Sequence, residues 1–199
     1  NRQKINKIKK NQKVFDNSIS KRIIENFRFD LTNDQLKAID EIKRDLSSRK
    51  KMFRILQGDV GSGKTICAFI SISNTIESGY QCALMAPTDI LAKQHFISAN
   101  KTFKNTNIKI AFLSGKTLPK DRKVIINDLK NGRIDLIIGT HALFQKKILF
   151  KKLGLVIIDE QHKFGVRQRK LLSDKGGKNC DILLMSATPI PRTLTMTIY

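Results

Sequence analysis

The stretch LQGDVGSGKT, residues 56–65, decides the fold. It fits a phosphate-binding pattern in which a glycine and four residues precede a second glycine, a lysine and a threonine. Such a loop presents backbone N–H groups to phosphate oxygens, and the helix that follows adds partial positive charge. The pattern therefore predicts a bound nucleoside triphosphate. The candidate binding residues are Gly58, Asp59, Val60, Gly61, Ser62, Gly63, Lys64 and Thr65.

Two carboxylates after a buried strand are the second signal. The run LVIIDE, residues 155–160, ends in Asp159 and Glu160. In open α/β folds ligands bind at the carboxyl edge of the sheet, where these side chains are expected. There Lys64 would reach the β- and γ-phosphates, and Thr65 and Asp159 would ligate Mg²⁺. Glu160 would orient and deprotonate the attacking water.

Short apolar runs alternate with helical patterns along the chain. The runs are MFRILQ, CALMAPT, IKIAFLSG, DLIIGTH, LGLVIIDE and DILLMSAT, and helices are predicted from about Lys64, about Asp89 and Pro119. This alternation is typical of βαβ units, and near-continuous apolar strands indicate a sheet that is covered on both sides. The predicted fold is an α/β P-loop NTPase domain with a mainly parallel sheet and helices on both faces.

Other predicted strands also end in small polar residues. In MSATPIPRT, residues 185–193, the hydroxyls of Ser186 and Thr188 are candidates to sense the γ-phosphate, but taken alone the stretch favours an ordinary turn set by Pro189 and Pro191. APTDILAKQH and IIGTHALF offer hydroxyls and backbone N–H groups, which position phosphates without reading bases.

The chain is strongly basic, with 38 Lys and Arg against 17 Asp and Glu and a formal net charge of +21. The charge fits a polyanionic partner, or a compositional bias that runs along the whole chain. The three cysteines lack metal-site or CxxC spacing, and Cys67 and Cys82 read as reduced packing residues in a cytoplasmic protein. No apolar run is long enough to cross a membrane. Residues 1–26 read as the basic remnant of an upstream domain or linker.

The ordered blocks resemble the first motor domain of superfamily 2 helicases, and most closely that of RecG-type branched-DNA helicases. The resemblance covers residues 27–199, predicted as the helicase ATP-binding domain with a RecA-like fold. It rests on the blocks DLTNDQ, QGDVGSGKT, LMAPTDILAKQH, GTHALFQ, VIIDEQHKFGVRQR and MSATPIPRTLTMTIY.

The resemblance implies roles for further residues. Gln35 would read the adenine of ATP, with Phe29 or Phe27 packed on it. Gln161 and His162 would link hydrolysis to Ser186 and Thr188. The DNA-facing residues would be Thr88, Gln94, Thr140 and His141, while Lys163, Arg167 and Arg169 fit either a DNA contact or a solvated helix.

The family further implies ATP-driven remodelling of stalled forks and Holliday junctions by a monomeric, nucleoid-associated enzyme. Its members carry a second RecA-like lobe, which supplies an arginine to the γ-phosphate, and an N-terminal wedge domain. We therefore expect these 199 residues alone to bind ATP and Mg²⁺ but to hydrolyse ATP poorly. Two alternatives stay open: the motor lobe of a transcription-repair coupling translocase, and a non-catalytic, nucleotide-gated DNA-binding module.

Overall fold

A six-stranded parallel sheet forms the centre of the computed structural model, which describes residues 9–26, 30–159 and 175–187. The strand order is β1-β6-β5-β2-β4-β3, and all neighbouring strands pair in parallel. Five of these strands lie within predicted apolar runs, and β2 begins at Gln81, one residue before the run CALMAPT, so the predicted α/β architecture is confirmed. The strands are β1 Phe53–Gln57, β2 Gln81–Met85, β3 Ile110–Leu113, β4 Leu136–Gly139, β5 Leu153–Ile158 and β6 Asp181–Ser186.

The helices begin where the sequence supplies start signals. Thr32 and Gln35 form a reciprocal capping box before α2, Thr88 caps α4, and Pro119 occupies the first turn of α5. The helices are α1 Ser18–Glu25, α2 Asn33–Ser47, α3 Lys64–Glu77, α4 Asp89–Thr102 and α5 Pro119–Asn131, with short 3₁₀ helices at His141–Phe144 and Gly177–Asn179.

Apolar cores cover both faces of the sheet. Successive residues of β2 alternate between them: Cys82 and Leu84 belong to one core, Ala83 and Met85 to the other. Helices α1 to α4 contribute to the first core, and α5 and the 3₁₀ helix after β4 contribute to the second. The predicted covering of both faces is therefore confirmed. In the described ranges no helix has the length and apolar character needed to cross a membrane.

Residues 9–26 are bonded to the amino-terminal edge of the sheet. The ammonium groups of Lys10 and Lys13 lie 2.5 and 2.6 Å from Oδ2 of Asp181, and all three side chains are fully buried. Burial lowers the pKa of Lys10, and the neighbouring Asp181 carboxylate opposes that shift. Asp181 also accepts a hydrogen bond from the backbone N of Met52 at 2.6 Å. The two lysines therefore join the basic segment to the first residue of β6.

A second anchor holds helix α1. The carboxylate of Glu77, at the end of α3, accepts hydrogen bonds from the backbone N of Asn17 at 3.0 Å and of Ile19 at 2.6 Å. A carboxylate is favourable here because the first turn of a helix leaves N–H groups without intrahelical partners. Ile23 of the same helix is buried in the first core. The segment is thus fixed by packing as well as by charge.

The three cysteines are buried and unpaired, as predicted for Cys67 and Cys82. Burial raises the pKa of the Cys67 thiol to about 11 and that of Cys180 to about 12, and it raises the pKa of Cys82 as well. The thiols therefore stay protonated at neutral pH and serve as packing groups.

Candidate nucleotide-binding site

The carboxyl ends of β1, β6 and β5 meet at one edge of the sheet. There the backbone N of Gly58 donates to the carbonyl of Ser186 at 3.2 Å, and the N of Asp159 donates to the carbonyl of Met85 at 2.8 Å. Strand β6 lies between β1 and β5, so the phosphate loop and Asp159 begin two strand spacings apart, about 10 Å. That separation leaves room for phosphate oxygens and a cation between them.

The phosphate loop depends on two glycines with positive φ. Gly61 has φ +84° and Gly63 has φ +80°, in the left-handed region that side chains disfavour. Gly63 is the residue immediately before α3, so the loop leads directly into the helix N-terminus. A Cβ on Gly63 would also lie 2.2 Å from Nε2 of Gln35. The positive φ favours glycine at this position, and a larger residue would in addition displace the Gln35 amide.

Lys64 folds back over the loop. Its Nζ donates to the carbonyl oxygens of Gly58 at 2.5 Å and of Asp59 at 2.8 Å. The ammonium is therefore held inside the curve of the loop, where phosphate oxygens can replace the carbonyls as acceptors. Thr65 follows in the first turn of α3 and is half-buried. The side chains of Asp59, Val60 and Ser62 are exposed.

Gln35 connects helix α2 to the phosphate loop. Its Oε1 accepts from the backbone N of Thr32 at 2.9 Å, and its Nε2 donates to the carbonyl of Ser62 at 2.9 Å. The structure thus brings Gln35 to the nucleotide site, while its reading of adenine stays a prediction. Phe27 and Phe29 lie outside the described residues.

Asp159 has a partner that the sequence reading missed. Nε2 of His95 lies 2.7 Å from Oδ2 of Asp159, and the two side chains are only 11% and 14% exposed. His95 belongs to α4, which follows β2, and β2 pairs with β5. The sequence offered one signal, a histidine on the helix after a strand. That signal points to Asp159 only if β2 lies beside β5 in the sheet, and the pattern of apolar runs does not reveal the strand order.

The predicted DNA-facing residues divide by exposure. Thr88, Gln94 and His141 are exposed, whereas Thr140 is only 1% exposed. The hydroxyl of Thr140 finds no hydrogen-bond partner within the part of the chain that the structure describes, and its backbone N donates to the carbonyl of Leu113. The Thr140 side chain therefore does not lie at the surface. Ser186 is also buried, between the phosphate loop and Asp159.

Several predicted residues fall outside the described ranges, and their roles stay predictions. They are Glu160, Gln161, His162, Lys163, Arg167, Arg169 and Thr188.

The residues that are described fit a nucleoside triphosphate with a divalent cation. The loop supplies glycine backbone, a helix N-terminus and the Lys64 ammonium, which together favour phosphate oxygens. The Thr65 hydroxyl and the Asp159 carboxylate are oxygen ligands of the kind that Mg²⁺ prefers. The pairing of Asp159 with a histidine also suits a metal-ligating carboxylate, since such ligands are commonly hydrogen-bonded.

A model of the DEAD/DEAH box helicase family matches residues 32–197 of the chain. The chain is 49% identical over 187 residues to the ATP-dependent DNA helicase RecG of Thermotoga maritima, and 48% identical over 199 residues to that of Aquifex aeolicus. These alignments cover 94% and 100% of this chain but 24% and 25% of the relatives, so the chain spans about a quarter of their length.

A solved structure of RecG bound to a three-way DNA junction is similar to the whole chain. The TM-score is 0.87 at 44% identity, over 100% of this chain and 26% of that one. The fold is therefore RecA-like, as expected, and the predicted resemblance to RecG-type helicases is confirmed.

Proposed function

Because the chain belongs to the DEAD/DEAH box helicase family, we propose that it is the first motor lobe of a RecG-type, ATP-dependent DNA helicase. The observation that carries this proposal is the common sheet edge at which the phosphate loop, Ser186 and Asp159 lie, in a chain that resembles RecG throughout. The proposed substrate is branched DNA, such as stalled forks and Holliday junctions, in recombination and repair.

The proposed chemistry uses the residues at this edge. Lys64 and the N-terminus of α3 hold the phosphates of ATP, and Thr65 and Asp159 hold Mg²⁺. The bound Mg²⁺ would supply positive charge that offsets the negative charge developing on the phosphate oxygens. Glu160 orients the attacking water and accepts its proton.

Gln35 has a double role in this proposal. Its present contacts fix the phosphate loop against α2, and its amide group has the donor and acceptor that adenine recognition needs. The aromatic ring of Phe29 or Phe27 packs on the base. The loop is therefore held before the nucleotide arrives, which lowers the ordering cost of binding.

Loss of the γ-phosphate is relayed through Ser186, Thr188, Gln161 and His162. Ser186 supports this role because its carbonyl already accepts a hydrogen bond from Gly58 of the phosphate loop. The exposed Thr88, Gln94 and His141 contact DNA phosphates. Thr140, which is buried, acts through its backbone or by supporting His141. The net charge of +21 favours this polyanionic partner.

The remaining parts of the proposal concern the longer protein. A second RecA-like lobe completes the hydrolysis site, and an N-terminal wedge domain engages the junction. The enzyme acts as a monomer in the bacterial cytoplasm, on the nucleoid. The described part of the N-terminal segment supports a fixed junction with an upstream domain, since Lys10 and Lys13 are buried against Asp181.

The test is Glu160→Gln in the full-length protein, with ATP binding and turnover measured on a three-way junction and on linear duplex. We expect wild-type turnover to be stimulated more by the junction. The variant should bind ATP tightly while losing turnover by a factor of about 10² or more, as expected for a general base. Lys64→Ala is the control, because it should weaken binding itself. Unchanged turnover in the Glu160 variant would show that Glu160 is not the general base. No turnover in the wild-type protein, with ATP-dependent DNA binding that is the same in the variant, would instead support a non-catalytic, nucleotide-gated DNA-binding module.

A further inference from the structure

We infer that His95 is a positioning residue that fixes the Asp159 carboxylate for the divalent cation. This inference rests on the proposed function, because it concerns the same site. It adds a residue of α4 to the proposed metal site, which the sequence motifs predict from Thr65 after the phosphate loop and Asp159 after β5.

The geometry of the pair is that of a charge-assisted hydrogen bond. The 2.7 Å separation between Nε2 of His95 and Oδ2 of Asp159 is within the range for such bonds. An ionised carboxylate offers only acceptors, so the imidazole donates from Nε2. Because the bond is made to Oδ2 alone, it restrains rotation of the Asp159 carboxylate about its bond to Cβ.

Both partners are attached to regular secondary structure: Asp159 directly follows β5, and His95 lies within α4. The N of Asp159 donates to the carbonyl of Met85 at 2.8 Å, and Met85 pairs with Ile158 across β2 and β5. His95 lies on the face of α4 that also carries Ala92 and Ala99, which are fully buried. These two small residues allow α4 to approach the sheet closely. The histidine therefore reaches Asp159 from the neighbouring βα unit.

A role in packing alone would not require this partner. A nearly buried imidazole needs a hydrogen-bond partner, and a backbone carbonyl can serve as well as a carboxylate. Here the partner is the carboxylate that the proposed function assigns to the cation. Hydrogen-bonded partners of ligands orient them, and their loss lowers metal affinity by about 10- to 100-fold.

The helix that carries His95 also carries Gln94 and begins after Thr88, two of the three exposed residues proposed to contact DNA. Gln94 is exposed beside it, and Thr88 caps the helix with its hydroxyl, accepting from the N of Leu91 at 3.3 Å. The same rigid element thus meets the metal site on one face and solvent on the other.

The test measures the cation rather than turnover. A fluorescent ATP analogue is titrated into the purified protein in EDTA and in Mg²⁺, and Mn²⁺ binding to the nucleotide complex is followed by electron paramagnetic resonance. We expect His95→Ala to lower Mn²⁺ affinity about tenfold and to reduce the Mg²⁺-dependent gain in nucleotide affinity. Affinity in EDTA should stay at the wild-type value.

Two further variants separate positioning from packing. In His95→Gln the amide Nε2 lies near the position of the imidazole Nε2, so it should restore Mn²⁺ affinity to within about twofold of wild type. In His95→Asn the amide is too short to reach Asp159, so this variant should behave like His95→Ala while keeping a polar side chain. Asn100→Ala is the matched control on α4, since the Asn100 side chain bonds only to Phe96 of its own helix among the described residues.

Each outcome has a distinct meaning. Wild-type Mn²⁺ affinity in His95→Ala, or in His95→Asn if the alanine variant does not fold, would overturn the inference. Equal loss in His95→Gln and His95→Asn, or weaker nucleotide binding in EDTA for all variants, would also overturn it. If the wild-type protein shows no Mg²⁺-dependent gain at all, the proposed function fails rather than the role of His95 alone.

Discussion

Gln35 and Ser62 join helix α2 to the phosphate loop through a hydrogen bond of 2.9 Å from Nε2 to the carbonyl oxygen. We predict that Gln35→Ala will lower nucleotide affinity about five- to tenfold, because one net hydrogen bond contributes about 1 kcal/mol and the loop becomes less ordered. The variant also loses the reciprocal contact with Thr32, so the free energy of unfolding should fall by about 1 kcal/mol. Fluorescent-nucleotide titration and urea unfolding measure the two effects.

Gln35→Glu separates these effects. Glutamate keeps the acceptor that caps α2 but lacks the amide donor to Ser62. Stability should therefore return toward wild type while nucleotide affinity stays low. Recovery of both properties would mean that the contact with Ser62 does not order the loop.

Gly63 and Gly61 provide a matched pair for backbone strain. Both have positive φ, but an added Cβ has nothing within 4 Å at Gly61 and meets Gln35 Nε2 at 2.2 Å at Gly63. We predict that Gly61→Ala will lower the free energy of unfolding by about 1–2 kcal/mol from conformation alone. Gly63→Ala should lower it further and weaken nucleotide binding by at least the five- to tenfold expected for Gln35→Ala, because the Gln35 amide must move away from the added Cβ. If urea unfolding shows the same decrease in the free energy of unfolding for Gly61→Ala and Gly63→Ala, the contact between the added Cβ and Gln35 carries no cost.

Lys64 donates within the loop to two backbone carbonyls, and we expect it to transfer these donors to phosphate oxygens. Lys64→Ala should weaken ATP binding by about 10- to 100-fold, as expected for one hydrogen bond to a charged group. Because the side chain is only half-buried, thermal unfolding should change little. Calorimetric titration with a non-hydrolysable ATP analogue checks the affinity, and an unchanged value would show that Lys64 does not contact the phosphates.

Asp181 accepts hydrogen bonds from two buried ammonium groups at the amino-terminal edge of the sheet. Asp181→Ala leaves Lys10 and Lys13 buried without their carboxylate, and removal of one partner of a buried pair destabilises by about 3–5 kcal/mol. Lys13→Met should cost less, since it leaves one lysine paired with one carboxylate. Urea unfolding of both variants tests this order, and a larger loss in Lys13→Met would contradict it.

The buried thiols should be unreactive in the folded protein. The thiolate is the reactive form, and burial raises the pKa of Cys67 to about 11 and of Cys180 to about 12. We therefore expect negligible labelling by a disulfide reagent at pH 8, and three labelled cysteines after unfolding in guanidinium. Rapid labelling of the native protein would mean that a thiol is accessible.

The same shifts predict a dependence of stability on pH. Because the folded pKa values exceed that of an unfolded cysteine, near 9, the thiols contribute stability that is present below about pH 9. This contribution is lost as pH rises through the folded values. Cys67→Ala should therefore reduce the decline in melting temperature between pH 8.5 and about 10.5. An identical decline in the variant would argue against the raised pKa of Cys67.

Local signals were sufficient to predict most of the fold. Each buried strand is an apolar run, and α3, α4 and α5 begin at Lys64, Asp89 and Pro119, where glycine, threonine and proline mark helix starts. A helical repeat of apolar residues is less informative about how deeply each one is buried. Leu36 falls on the same helical face of α2 as Ile39, Ile42 and Leu46, yet it is 48% exposed whereas those three are buried.

Contacts between distant residues could not be predicted in this way. His95 and Asp159 are 64 positions apart, and their meeting depends on β2 lying beside β5. Lys10 reaches Asp181 across 171 positions, and in sequence it is one lysine among many. Such pairs are brought together by the order of the strands in the sheet, whereas a sequence motif indicates only the structure of its own short segment.

Strand β6 connects the N-terminal segment to the proposed nucleotide site. It begins at Asp181, whose carboxylate forms salt bridges with Lys10 and Lys13. It ends at Ser186, whose carbonyl accepts a hydrogen bond from the backbone N of Gly58. Between these points lies about 17 Å of strand that is paired on both sides. A force applied to the N-terminal segment would therefore be transmitted to the phosphate loop through a strand that is paired on both sides, with no flexible loop in between.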